Sequence, residues 1–349
     1  MAPRRHLKLG IKVTVTTVLL GLILVVVPWA ELRAGLEQLD GSLWLMVWCV
    51  FVLGHLASSL KWRINVNIGR AGLGVTDAVQ IYSAGLFANL CLPSIVGGDG
   101  LKAVLAGRVT GRYESAIFGG LCERLIDTSA LMALAVVGSV LSSDQVAGWG
   151  GQVLLVGGLG ALAGVALFTP LVLRVRLQRW PRKLRRPIGR AMVAMRRLWR
   201  RPLLGLGLFL MSLSIQSLFV LLNMWLGRGI GIDIPVVFWF LAIPLAKIIT
   251  LAPISLGGFG LREVTLASIL ALVAVPESQG VLVSLLWQTI IVATGLCGGA
   301  VWFLLGLRSG ARTGGGRDSL REVARERSAQ RAPEQVQGQT PNQTETESV

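Results

Sequence analysis

Long apolar runs separated by short charged loops set the pattern of this chain. A helix needs roughly 20 apolar residues to cross about 30 Å of hydrocarbon. On that measure residues 11–28, 43–60, 113–141, 152–173, 202–226 and 280–307 are predicted spans. Two further apolar segments, 75–92 and 235–252, each run into a Pro-Gly stretch and read as interrupted helices that return to the side they came from. The predicted fold is an all-α membrane protein with six full transmembrane helices plus two re-entrant helical hairpins in an inverted repeat. The repeats cover about 43–141 and 202–307 within a transmembrane domain of residues 1–308.

Lys and Arg mark the cytoplasmic loops. Arg4, Arg5, Lys8 and Lys12 place the N-terminus inside, and residues 30–41, with Glu31, Glu37 and Asp40 against Arg33, suit the outside. Lys61, Arg63 and Arg70 bring the chain back, and residues 142–151, with Asp144 and no base, lie outside. Residues 174–201 are densely basic without an acid, and Arg308, Arg312 and Arg317 keep the C-terminus inside. A multi-pass location in the inner (plasma) membrane with both termini cytoplasmic is therefore expected. Pro28-Trp29-Ala30-Glu31 lacks a small-x-small cleavage pattern, so the first apolar run reads as an uncleaved span.

Composition agrees with the pattern: 53% of the 349 residues are hydrophobic and only 15% charged. The net charge of +16 sits in clusters that flank apolar runs, which disfavours a nucleic-acid partner. The stretch 174–201 interleaves Trp180, Leu184, Ile188, Met192, Met195 and Trp199 with arginines and reads as an interfacial anchor for anionic lipids. From Ser309 large apolar residues nearly vanish, predicting a disordered cytoplasmic tail over 309–349 with at most a short helix around 318–327. Cys49, Cys91, Cys122 and Cys297 fall in apolar stretches without a CxxC pair and read as buried free thiols. His6 and His55 are too scattered for a metal site, and no cofactor is expected.

One motif occurs twice. Pro93-Ser94-Ile95-Val96-Gly97-Gly98-Asp99-Gly100-Leu101-Lys102 and Pro253-Ile254-Ser255-Leu256-Gly257-Gly258-Phe259-Gly260-Leu261-Arg262 share Pro, three Gly, Leu and a base in register. Each follows an interrupted apolar segment and precedes a helical stretch (101–109 and 261–275). Topology makes the copies inverted, so the two turns approach the bilayer middle from opposite faces. Helices starting there aim free N–H groups and a positive dipole end at the centre, which suits an anion such as phosphate. Lys102 and Arg262 add formal charge, Asp99 can cap its helix, and Glu263 lies in the first turn of its own. Asn89, Ser94 and Ser255 sit beside the turns as candidate headgroup ligands or helix caps. The plainer reading is that the glycines permit close helix packing.

Within the long span from Tyr113, Glu123 lies about 15 Å along the helix, near the bilayer centre. Glu123 and Asp127 share a face, and Arg124 is spaced to reach Asp127. Such a cluster either fixes packing or serves function. Lys247 interrupts the second short segment and can face the same cavity.

These residues resemble the lysylphosphatidylglycerol-synthase transmembrane-region family of flippase-like membrane proteins. The first family signature is similar to Asn89-x-x-x-Pro93-Ser94-x-x-Gly97-Gly98-Asp99 with a following base, the second to Glu123-Arg124-x-x-Asp127, and the third to Pro253-x-Ser255-x-Gly257-Gly258-x-Gly260-x-Arg262-Glu263. Lys102 stands where Arg is usual and Leu256 where Pro is common. The resemblance, over roughly 10–308, implies movement of anionic, aminoacylated or glycosylated lipids between leaflets. In some relatives the module precedes a soluble aminoacyl-transferase domain; none is read here, so an enzyme is not expected.

The expected function is transport of a phospholipid or polyprenyl/glycolipid between leaflets, the anionic headgroup held at the two Gly-rich turns. Two rivals stay open: a secondary transporter of a small soluble anion, and a non-transporting partner of a lipid-modifying enzyme. A second copy of the chain or such an enzyme stays open as a protein partner.

Overall fold

The computed structural model describes residues 39–91, 97–142, 200–250 and 260–331, with Glu37, Val193, Arg196 and Leu198 besides, and past residue 304 the backbone alone. These residues form eight helices: α1 (Gly41–Ile68), α2 (Val75–Cys91), α3 (Gly97–Thr110), α4 (Tyr113–Leu141), α5 (Pro202–Gly229), α6 (Val236–Thr250), α7 (Leu261–Ala271) and α8 (Glu277–Arg331). No strand occurs among the described residues. Four helices are long and apolar enough to cross a membrane: α1, α4, α5 and the Glu277–Leu304 part of α8. The predicted spans 11–28 and 152–173, most of the basic stretch 174–201, and residues 332–349 lie outside the described residues.

Two differences from the sequence reading stand out. Lys61 and Arg63, read as cytoplasmic loop markers, lie within α1, which continues to Ile68. The charge is absorbed because Lys61 is only 1% exposed and faces an acid on another helix. At the other end, α8 is helical to Arg331, past Ser309, where a disordered tail was the expectation. Its Ala-, Arg- and Glu-rich sequence after residue 317 favours helix by propensity alone. Residues 1–301 form one compact unit and 302–349 a second, which is helical where described.

At the start of α1, Asp40 is the N-cap. It accepts hydrogen bonds from the Ser42 hydroxyl and from the Ser42 N–H at 2.9 Å, which hold its carboxyl below the ordinary carboxylate range.

The short helices are the informative ones. At 1.5 Å per residue, α2 (17 residues), α3 (14), α6 (15) and α7 (11) reach only about 26, 21, 22 and 16 Å, short of a full crossing. Helices α2 and α3 run antiparallel: Lys102 lies beside Gly85, and Gly98 beside Asn89. The pair also leaves and returns at one end of the unit. Gly69, after α1, meets Ser115 at the start of α4, whose hydroxyl donates to the Gly69 carbonyl at 3.3 Å. Arg112 donates to the same carbonyl at 3.3 Å. Gly229, at the end of α5, packs instead against Leu43 at the start of α1, so α6 departs from the opposite end.

Close backbone approach holds the long helices together. Gly138 of α4 abuts α6: a Cβ there would lie 2.5 Å from the Leu241 nitrogen and 2.6 Å from the Phe240 carbonyl carbon. Gly119 faces the Val66 backbone of α1 in the same way, at 2.8 Å. The larger buried cluster, including Phe51, Phe219, Leu222, Phe238, Trp239 and Trp287, draws on α1, α4, α5, α6, α7 and α8. A smaller one around Trp62, Ile81 and Tyr82 joins α1 to α2, α3 and α4. Of the cysteines read as buried, Cys122 is buried but Cys49 lies exposed on α1, where lipid rather than water would cover it.

Because backbone cannot move aside as a side chain does, Gly138→Leu should cost about 1–3 kcal/mol by overpacking the α4–α6 contact. Thermal unfolding of the detergent-purified variant checks this. A midpoint equal to that of the wild type would contradict the close approach.

Candidate functional site

The first hairpin is built around its small residues. Asn89, near the C-terminal end of α2, accepts the Gly98 N–H at 3.0 Å and so satisfies a free donor at the start of α3. A Cβ on Gly98 would collide with the Asn89 side chain and the Gly85 carbonyl, so here glycine is required by packing. Gly97 and Gly98 open α3, and Asp99 lies in its first turn. Pro93 and Ser94 fall outside the described residues.

From this turn a chain of ion pairs runs into the bundle. The Lys102 ammonium sits 2.9 Å from Asp99 and 3.0 Å from Glu123 of α4. It also lies over the Tyr82 ring at 4.5 Å and the Trp62 ring at 5.5 Å. Arg124 donates to Asp99 at 2.6 Å. One turn further along α4, Asp127 is paired with Lys61 of α1 and accepts a hydrogen bond from Ser212 of α5. Three cations thus face three carboxylates across α1, α3 and α4. Burying ions costs several kcal/mol each unless partners compensate, and this arrangement supplies them.

The sequence reading is corrected at two points. Arg124 was placed on Asp127; the structure directs it to Asp99, because α3 brings that carboxylate alongside α4. Lys102, read as added positive charge at the first turn, is buried between two carboxylates and two aromatic faces.

The second hairpin is less acidic. Gly260, at φ 79°, sits in the left-handed region at the N-cap of α7, a conformation glycine adopts without strain. Its N–H donates to the Glu263 carboxylate at 2.7 Å, so Glu263, only 2% exposed, serves as a cap. Arg262 donates to the Ser284 carbonyl of α8 at 2.9 Å. Lys247, on α6, donates to the Gln216 side-chain oxygen of α5 at 2.8 Å. Pro253, Ser255, Gly257 and Gly258 fall outside the described residues.

The profile of the lysylphosphatidylglycerol synthase TM region matches residues 9–299. The chain belongs to this family. No curated protein and no solved structure matches it. Within this TM-region domain, the structure joins the first two predicted signatures through Asp99 and Lys102, which lie against Arg124 and Glu123, while Asn89 binds Gly98 within its own motif and Asp127 pairs with Lys61.

Lys61, Ser212 and Gln216 were not singled out from the sequence. Ser212 and Gln216 are four residues apart in a mostly apolar helix, and Asn223 falls on the same face, so a polar helical face was there to be read. Lys61 was masked by its place next to Arg63 at the end of an apolar run.

Breaking one pair should cost far more than removing both partners. Lys102→Met should destabilise the fold by about 3–5 kcal/mol by leaving Glu123 buried and unpaired. Lys102→Met/Glu123→Met should recover most of that loss, since Asp99 keeps Arg124. A double-mutant cycle on thermal unfolding in detergent reads the difference, and additive losses would contradict the pairing.

Proposed function

We propose that this chain moves a lipid with an anionic headgroup, a phospholipid or a polyprenyl/glycolipid, between the leaflets of the bacterial inner membrane. Membership of the lysylphosphatidylglycerol synthase TM-region family supports a membrane role tied to lipids. The observation that carries the reading is the pair of short helical hairpins. Both are too short to cross, they depart from opposite ends of α1, and each leads into a helix that starts beside buried charge.

In this reading α2–α3 and α6–α7 are re-entrant and related by an inverted repeat, with both termini cytoplasmic. Their turns meet near the midplane, where irregular backbone is tolerated only beside protein or a water-filled cavity. The headgroup enters that cavity from one leaflet and leaves to the other by alternating access, its acyl chains staying in lipid. The helix N-termini at Gly97 and Leu261 face the anion, Arg262 adds charge, and the pairs around Glu123 and Asp127 supply counter-charge. The protein itself does no bond chemistry; its substrate leaves unchanged.

Leaflet exchange of fluorescent phosphatidylglycerol in proteoliposomes tests this. The wild type should accelerate exchange, and Arg262→Ala should slow it by about tenfold or more, the worth of a charged hydrogen bond. Wild-type protein that accelerates no lipid but takes up a soluble anion would overturn the lipid reading.

A further inference from the structure

Each ionised side chain described inside the bundle so far has an opposite charge or a backbone peptide group against it, except the half-buried Lys247. Lys247 has the Gln216 oxygen as its hydrogen-bond partner and forms no ion pair among the described residues, although Asp127 lies near enough to act on it through space. That bond fixes the amide's orientation, since an ammonium needs the oxygen, and leaves the Gln216 NH2 as the donor end of the amide. His55 packs against the same Phe219 ring. The Lys247 ammonium is 5.6 Å from the ring centre, and the His55 ring is 5.3 Å from it. The His55 Nδ1 atom is buried and has no hydrogen-bond partner among the described residues. Phe51 and Trp287 close the apolar side of this basin, Phe51 lying edge-on to both His55 and Trp287.

The position along the chain matters as much as the chemistry. Lys247 lies 11 residues into α6, about 16 Å from its start. Glu123 lies about 15 Å along α4, counted from the other end of the unit. Lys247 therefore reaches mid-depth from the side opposite to the ion-pair chain. A lysine held there without a carboxylate is costly in an apolar bundle unless an anion arrives to meet it.

Charge counting then gives the class of that anion. Lys61, Lys102, Arg124, Arg262 and Lys247 stand against Asp99, Glu123, Asp127 and Glu263, which leaves one positive charge over in this set, and Lys247 is the cation whose hydrogen-bond partner is neither a carboxylate nor a peptide carbonyl. We propose that Lys247, with the Gln216 amide and the His55 imidazole, is the seat of a monoanionic phosphodiester, with the aromatic basin beside it taking the adjoining apolar part. Lys102 then plays no direct part in holding the anion. This deepens the translocation reading and rests on it for the ligand's being a lipid.

The experiment is calorimetric titration of the full-length protein in detergent with short-chain phosphatidylglycerol, with phosphatidylcholine of the same chains, and with glycerophosphoglycerol, the headgroup without chains. The wild type should prefer phosphatidylglycerol to phosphatidylcholine. Lys247→Met should weaken phosphatidylglycerol by about tenfold or more while leaving phosphatidylcholine unchanged. Gln216→Glu supplies the missing carboxylate from within the protein. It should weaken phosphatidylglycerol to a similar degree while raising the thermal midpoint, so it decides the matter even where Lys247→Met fails to fold. Lys247→Arg should stay within a few-fold of the wild type, about the context-dependent spread of one charged contact.

Wild-type affinity for phosphatidylglycerol in Gln216→Glu would overturn the seat. An effect confined to glycerophosphoglycerol would overturn the lipid as the source of the phosphodiester. Binding is read without transport. A protein that binds phosphatidylglycerol through Lys247 but exchanges no lipid would therefore sink the translocation reading and leave the seat standing.

Discussion

Ionised side chains inside an apolar bundle must be matched, and the first half of this protein is arranged around that requirement. Asp99 and Lys102 on α3 and Glu123, Arg124 and Asp127 on α4 cannot sit at their depth separately; each would face an unpaired cost of several kcal/mol. Bringing α3 against α4 solves four of the five at once, and Lys61 of α1 with Ser212 of α5 completes Asp127. The ion pairs thereby tie the first hairpin to α4, and α4 to α1 and α5. The close contact of Gly119 with the Val66 backbone lets α4 approach α1 near enough for the Asp127–Lys61 bridge.

The second half meets the same constraint differently. It has no acidic span to answer its cations. Arg262 turns to a peptide carbonyl, Glu263 is spent on capping α7, and Lys247 is left with an amide. A repeated motif thus carries unlike chemistry in its two copies: a satisfied, self-neutral half and a half with positive charge to spare. In a transporter this division of labour makes sense. On the proposed reading, the neutral half fixes geometry, while the positive half binds the anion that enters and leaves.

Much of the architecture was legible in the sequence because apolar length is a strong signal. The ends of α4 coincide with the predicted span, and α2 and α6 begin within a residue of the predicted interrupted segments. The doubled Pro-Gly motif marked the ends of both short pairs, though most of its turn residues lie outside the described part. Partnership was much less legible. Spacing along one helix suggested Arg124 with Asp127, whereas the real partners, Asp99 and Lys61, come from other helices, which periodicity within one helix cannot see. Lys61 was hidden for a further reason: loop and helix-end lysines look alike until burial is known. The family profile over residues 9–299 agrees with the motif-based resemblance and leaves open what the protein acts on.

The central claim is that the two short pairs are re-entrant from opposite faces. Labelling single cysteines in a background lacking Cys49, Cys91, Cys122 and Cys297, with a membrane-impermeant thiol reagent applied to either side, tests it most directly. Thr76→Cys and Arg108→Cys flank α2–α3, while Asp233→Cys and Glu277→Cys flank α6–α7, and all four positions are exposed. The account predicts that the first two label from one face and the second two from the other. Thr76→Cys and Arg108→Cys labelling from opposite faces would mean that α2–α3 crosses the membrane, and the inverted hairpin architecture would be wrong.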